Sequence, residues 1–183
     1  MKELILGGAR SGKSALALQR AITSGKAVTF VATATADDNE MAARIARHQA
    51  ERPAHWALIE EPIALADVLL QHDAPQHCLL VDCLTLWISN LMNDRALFDE
   101  QKKLLLEVLP QISGHLILVS NEVGLGITPL GEVSRRFVDD AGRLHQELAT
   151  LCDEVTFIAA GLPLTLKHSP VATKVPTEKY SEP

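Results

Sequence analysis

Gly7-Gly8-Ala9-Arg10-Ser11-Gly12-Lys13-Ser14 satisfies the pattern G-x-x-x-x-G-K-[ST] in full. This is the spacing of a phosphate-binding loop. Gly7 and Gly12 let the backbone fold back so that its N–H groups surround phosphate oxygens. Lys13 then reaches the β and γ phosphates, and the Ser14 hydroxyl takes a place on Mg²⁺. The octet therefore points to a nucleoside triphosphate. Its setting agrees: Leu4-Ile5-Leu6 suits a buried strand, and Ser14 to Ser24 has helical apolar spacing closed by Gly25. A glycine-rich turn ahead of an ordinary helix is the plainer alternative.

Working outward, 183 residues fit one α/β domain and leave no room for a second. An apolar fraction of 47% is globular, and a net charge of −6 argues against a nucleic-acid partner, which needs a basic face. Met1-Lys2-Glu3 runs directly into the first strand without a leader pattern, and no run approaches the roughly 18 apolar residues of a membrane span, so the cytoplasm is expected. Cys78, Cys83 and Cys152 lack C-x-x-C spacing and read as core thiols.

Strands alternate with helices along the chain, which indicates a largely parallel sheet wrapped on both faces. Strands are expected at 27–33, 56–60, 78–82, 115–120 and 155–160, with 162–167 pairing beside the last. Thr35-Ala36-Asp37-Asp38 has the form of a capping box, and the helix it opens should stop before Pro53. Further helices are expected at 62–71, with proline in the first turn, and at 84–91, 99–109 and 133–151; 124–131 reads as a loop. The expected fold is a three-layer α/β P-loop NTPase domain of RecA-like type over residues 1–168. Residues 169–183, with little apolar content, should form a mobile tail.

In an open α/β sheet, ligands bind beyond the carboxyl ends of the strands. Asp82 ends an apolar strand and fits an acid that orders Mg²⁺ beside Ser14; an acid that merely ends a strand is the alternative. Thr33-Ala34-Thr35 leaves the second strand on the same edge and can line the nucleotide or serve only turn and cap chemistry. Asn121-Glu122 precedes the glycine loop G-L-G-I-T-P, which suits a substrate lid. Glu122 can accept a proton from an acceptor hydroxyl or be a solvated loop acid. Arg10 and Arg52 can balance phosphate charge or make surface ion pairs. On the second helix Met41, Ile45 and His48 fall at i, i+4 and i+7, so His48 closes the apolar face and can turn toward the cleft. A lone histidine there is more often structural.

Read in order, the phosphate loop, M-A-A-R-I-A-R-H-Q-A-E-R-P-A-H-W at 41–56, V-D-C-L-T at 81–85, N-E-V-G-L-G-I-T-P at 121–129 and D-A-G-R-L-H-Q at 140–146 strongly resemble one family. It is the bifunctional adenosylcobinamide kinase and adenosylcobinamide-phosphate guanylyltransferase family of cobalamin assembly. The resemblance implies that ATP or GTP phosphorylates the aminopropanol hydroxyl of adenosylcobinamide. GTP then places GMP on a histidine, which passes it to that phosphate. By its match to R-I-x-x-H, the guanylylated residue is His48. The resemblance also assigns nucleotide contacts to Gly7 through Ser14 and Thr33 through Thr35. It extends them to Gln49, Ala50, Glu51, Arg52, Glu60 and Asp82, with Mg²⁺ at Ser14 and Asp82, and it implies a homo-oligomer, a trimer.

Chemistry agrees with the assignment, since a neutral imidazole with an ordinary pKa of about 6.5 is a competent nucleophile near pH 7. His55, past Pro53 and off the helix, ranks below His48. This chain departs from the family pattern at His145, where asparagine is usual, and at Arg47, where some relatives carry a second histidine. Two rivals stand beside the reading. A simple P-loop small-molecule kinase would share Lys13 and Asp82 and form no covalent nucleotide. A regulatory GTP switch would need an N-K-x-D motif, which this chain lacks.

Overall fold

The computed structural model describes residues 1–35 and 52–168. They form a seven-stranded sheet in the order β3-β2-β4-β5-β1-β6-β7. The strands are β1 (Lys2–Gly7), β2 (Ala27–Ala32), β3 (Ala57–Glu60), β4 (His77–Asp82), β5 (His115–Asn121), β6 (Glu154–Ala159) and β7 (Leu162–His168). β1 to β6 pair in parallel, and β7 turns back at Ala160-Gly161 to run antiparallel on the β6 edge. The helices are α1 (Lys13–Thr23), α2 (Leu65–His72), α3 (Leu84–Leu91), α4 (Arg95–Val108) and α5 (Glu132–Leu151).

Inner strands of a parallel sheet are covered on both faces and therefore read as continuous apolar runs. Leu4-Ile5-Leu6, Cys78 to Val81 and Leu116 to Val119 are such runs, and all are buried. Alternate side chains supply two cores. On one face Ile5, Leu80, Ile117 and Val119 meet Ala17 and Ala21 of α1. On the other, Leu4, Leu79, Val81 and Leu118 meet α2 to α5, with Trp87 at the centre. The result is helix, sheet, helix. β5 lies between β1 and the Asp82 strand β4, the RecA-like order expected of a P-loop protein. All three cysteines are free and buried, and no described helix is long and apolar enough to cross a membrane.

Two helix starts differ from the sequence expectation. α2 begins at Leu65, beyond Pro62, because Glu61 Oε1 accepts hydrogen bonds from the N–H groups of Ile63 and Ala64, both at 2.8 Å, and turns the chain first. α4 begins at Arg95, a turn before Asp99, because Asp94 Oδ1 caps it by accepting from Leu97 N at 3.0 Å. α4 stops at Val108, and Leu109 opens a short 3₁₀ turn, Leu109–Gln111, around Pro110. The capping box at Thr35 and its helix through His48, and the tail at 169–183, lie outside the described residues.

At the edge opposite the strand C-termini, Glu3 of β1 is 2% exposed and holds His115 Nε2 at 2.6 Å and the guanidinium of Arg20 from α1. Arg20 also reaches Thr156 Oγ1 at 3.0 Å. Burial pushes the Glu3 carboxyl up, but the hydrogen bonds from His115 and Arg20 and the Arg20 charge outweigh it and hold the group below its ordinary 4.5. A carboxyl depressed by folding adds stability above its unfolded pKa and loses it as pH falls through the folded value. Glu3→Gln should therefore cost about 2 kcal/mol near pH 7. That is less than the roughly 3–5 kcal/mol of a fully buried broken pair, because Arg20 keeps Glu154 and some water. Urea denaturation of both proteins checks this: the gap should close below pH 4.5, and a gap constant with pH would refute the ion-pair account.

Candidate active site

Parallel pairing brings the ends of β1 to β6 to one edge. Glu60 pairs across to Ala32, Ala32 to Asp82, and Asn121 to Gly7. From that edge the chain leaves β1 at Gly7, rounds Gly8 to Ser11, and enters α1 at Lys13 with Gly12 as N-cap. Gly12 has φ 101°, a conformation that favours glycine. Gly7 serves a different need: a Cβ there would sit 2.5 Å from Ser11 Oγ and 2.6 Å from the Ile158 carbonyl oxygen. The loop is tied from two sides, by Gly161 N donating to Ser11 O at 2.9 Å and Glu122 N donating to Gly7 O at 3.0 Å. Ala9 and Arg10 form its exposed tip, and nothing lies within 4 Å of the side-chain position at Gly8.

Lys13 curls over this loop and donates from Nζ to Gly8 O at 3.0 Å. Burial pushes its ammonium down from the usual lysine range, and the negative charge of Asp82 opposes that. The cation is thus bonded to the loop and lies in the field of the acid of β4, and Ser14, half-buried, follows it in the first turn of α1. Arg52 lies with its guanidinium 4.2 Å from the Phe30 ring centroid. Burial lowers its pKa, and Glu60 and Asp82 raise it, so Arg52 shares a field with both acids.

Thr33 is at this edge but wholly buried. Its hydroxyl donates to Cys83 O at 2.7 Å and accepts from Cys83 N at 3.0 Å, tying the end of β2 to the turn after β4. Ala34 and Thr35, half-buried, follow it outward. His55 is exposed. His48, Gln49, Ala50 and Glu51 lie outside the described residues. Asn121 and Glu122 emerge on β5, between the phosphate loop and Asp82, and lead into the loop 124–131, where Leu125, Ile127 and Leu130 are 79%, 98% and 97% exposed.

Sequence reasoning missed a polar chain beneath this edge. Asn121 N donates to Thr85 Oγ1 at 2.6 Å, the Thr85 and Ser120 hydroxyls lie 3.2 Å apart, and His145 Nε2 is 2.8 Å from Ser120 Oγ. Ser120, closing the apolar run L-I-L-V, was the available signal. Asn90 adds a clamp, donating from Nδ2 to the carbonyls of Thr33 at 2.8 Å and Pro62 at 3.1 Å.

Residues 3–166 match the family model for cobinamide kinase / cobinamide phosphate guanyltransferase. The chain belongs to this family. A relative in Pseudomonas aeruginosa, the bifunctional adenosylcobalamin biosynthesis protein CobP, is 56% identical, with the match spanning 93% of this chain and 100% of the relative. The bifunctional adenosylcobalamin biosynthesis protein CobU of Salmonella typhimurium is 36% identical over 91% of this chain and 100% of its own. A solved protein of Pyrococcus horikoshii OT3 shares the fold, with a TM-score of 0.55 and 10% identity over 91% of this chain and 86% of that one.

Proposed function

We propose that this protein, a family member working in the cytoplasm, phosphorylates adenosylcobinamide and then transfers GMP onto the product. In the first reaction the aminopropanol hydroxyl takes the γ-phosphoryl group of ATP or GTP held by Gly7 to Ser14. In the second, GTP gives GMP to His48, and His48 gives it to adenosylcobinamide phosphate to form adenosylcobinamide-GDP. A simple kinase would stop after the first step. The observation that carries the reading is Lys13, bonded to the loop and in the field of Asp82, where it can meet β and γ phosphates and stabilise the charge that develops on transfer.

Among the described residues no three His, Cys, Asp or Glu side chains converge on a metal position. Ser14 and Asp82 supply hard oxygen donors, which fits Mg²⁺, an ion that takes one or two carboxylates and completes its shell with phosphate oxygens and water. Bound there, the ion would neutralise phosphate charge. Arg10 at the loop tip and Arg52, in the field of Glu60 and Asp82, add positive charge, while Thr33 positions the turn after Asp82. Gln49, Ala50 and Glu51 follow His48 in sequence and are assigned to the guanine nucleotide with it. The apolar loop side chains at 125, 127 and 130 give a large corrin ring a surface to rest on. A homo-oligomer, a trimer, belongs to the same reading.

Incubation of the protein with adenosylcobinamide and GTP labelled on the γ-phosphate tests it. Label should appear on the corrinoid as a phosphomonoester and then become internal as adenosylcobinamide-GDP forms. No label on the corrinoid would overturn the reading, and a product that stops at the phosphate would favour the simple kinase.

A further inference from the structure

Glu122 leaves β5 in the middle of the active edge, flanked by the phosphate-loop strand and the Asp82 strand, and its own N–H is bonded to Gly7 O. One carboxylate oxygen is fixed, since Oε1 accepts from Gly124 N at 2.5 Å. The other, Oε2, faces Nδ1 of His145 at 3.8 Å. His145 is 6% exposed, and its Nδ1 has no hydrogen-bond partner among the described residues. A buried ring nitrogen left without a partner is unfavourable, and closure onto Glu122 would satisfy it.

The polar chain below accommodates a hydrogen on Nδ1. Asn121 N occupies an acceptor site of Thr85 Oγ1, so the Thr85 hydroxyl can donate to Ser120 and the Ser120 hydroxyl to His145 Nε2. In that arrangement the hydrogen resides on Nδ1, on the side of Glu122. The opposite tautomer would set a bare lone pair against a carboxylate. Burial lowers the His145 pKa, with Glu122 opposing, which favours the neutral ring.

We propose that Glu122 is the proton acceptor for phosphoryl transfer and that His145 is its positioning residue, holding Oε2 toward the acceptor hydroxyl through Nδ1–H. The inference rests on the kinase reading above. In the step, the acceptor O–H bond breaks and its proton passes to Oε2. The alcohol oxygen bonds to the γ-phosphorus. The bond from that phosphorus to the β,γ-bridging oxygen breaks and leaves its electron pair on the nucleoside diphosphate, and Glu122 then releases the proton to solvent. Catalytic hydrogen bonds are often long before substrate arrives and shorten in the reacting complex, consistent with 3.8 Å here.

The test is steady-state kinetics of adenosylcobinamide phosphorylation with Glu122→Gln, His145→Ala, His145→Asn and the double variant Glu122→Gln/His145→Ala. Loss of the base should lower kcat roughly 10²- to 10⁴-fold. Misplacing it through His145→Ala should lower kcat about 10- to 100-fold with little change in the nucleotide KM. His145→Asn, which keeps an N–H donor, should recover most of that loss, and His145→Ala should cost nothing more in the Glu122→Gln background. Near wild-type kcat in Glu122→Gln overturns the proposal whatever the histidine variants do. Additive losses in the double variant, or a His145→Ala effect confined to KM, overturn the positioning role. If the wild type itself does not phosphorylate adenosylcobinamide, the kinase reading fails, and this inference with it.

Discussion

Lys13→Ala should abolish both reactions. Lys13 is 8% exposed, begins α1, and is bonded to the loop it crosses. No other described lysine enters α1 from the phosphate loop, and Arg10, at the exposed loop tip, does not share its buried position, so the loss of charge at the β and γ phosphates should be felt in full. A preorganised donor aimed at charge that grows in the transition state is worth about 10²–10³ in rate, and this one carries a full charge in a partly dehydrated site. The expected result is a kcat at least about 10²-fold lower for phosphorylation and for enzyme-GMP formation alike. Among the described residues Lys13 donates to Gly8 O, a contact within the loop itself, so thermal unfolding should change little. Near wild-type turnover in either reaction would show that the loop does not serve that step.

His48→Asn should separate the two activities. If His48 carries the guanylyl group and has no part in phosphorylation, the variant forms no covalent GMP while adenosylcobinamide is still phosphorylated at close to the normal rate. The asparagine side chain fills similar space but offers no basic nitrogen for attack on the α-phosphate. Mass measurement of the protein after incubation with GTP, beside the phosphorylation assay, reads both outcomes. Covalent GMP on the variant would move the nucleophile elsewhere, with His55, exposed past Pro53, the first to examine. Loss of phosphorylation together with the label would mean that His48 also builds the kinase site.

What the residues disclosed in advance follows from how local each signal is. β1, β4 and β5 are buried on both faces, so their apolar runs marked them, and α5 showed its inward face as Ala141, Leu144 and Leu148 at helical spacing. The starts of α2 and α4 were hidden because a single side chain decides each: Glu61 closes a turn that delays one, and Asp94 caps the other early. At the site, the phosphate loop and Asp82 were legible because contiguous residues make the motif. The polar chain through Thr85, Ser120 and His145 was not, since its members are 35 and 25 positions apart and meet only after the sheet has formed. Glu3 and His115, 112 positions apart, were invisible for the same reason. Thr33 was read for its place at a strand end, but whether its hydroxyl faces inward or toward a ligand depends on the Cys83 backbone beside it.

The central claim is that one phosphate-loop domain both phosphorylates and carries GMP on a histidine. Incubation with GTP labelled on the α-phosphate, followed by mass mapping of the modified peptide and exposure to acid, alkali and hydroxylamine, tests it most directly. Attack by imidazole on the α-phosphorus expels pyrophosphate and leaves a phosphoramidate, whose nitrogen becomes a good leaving group once protonated. The account predicts label on the peptide containing His48, stable in alkali and lost in acid. Label that survives acid but is removed by hydroxylamine would mark a carboxylate ester, and no label at all would leave a kinase alone; either result contradicts the account.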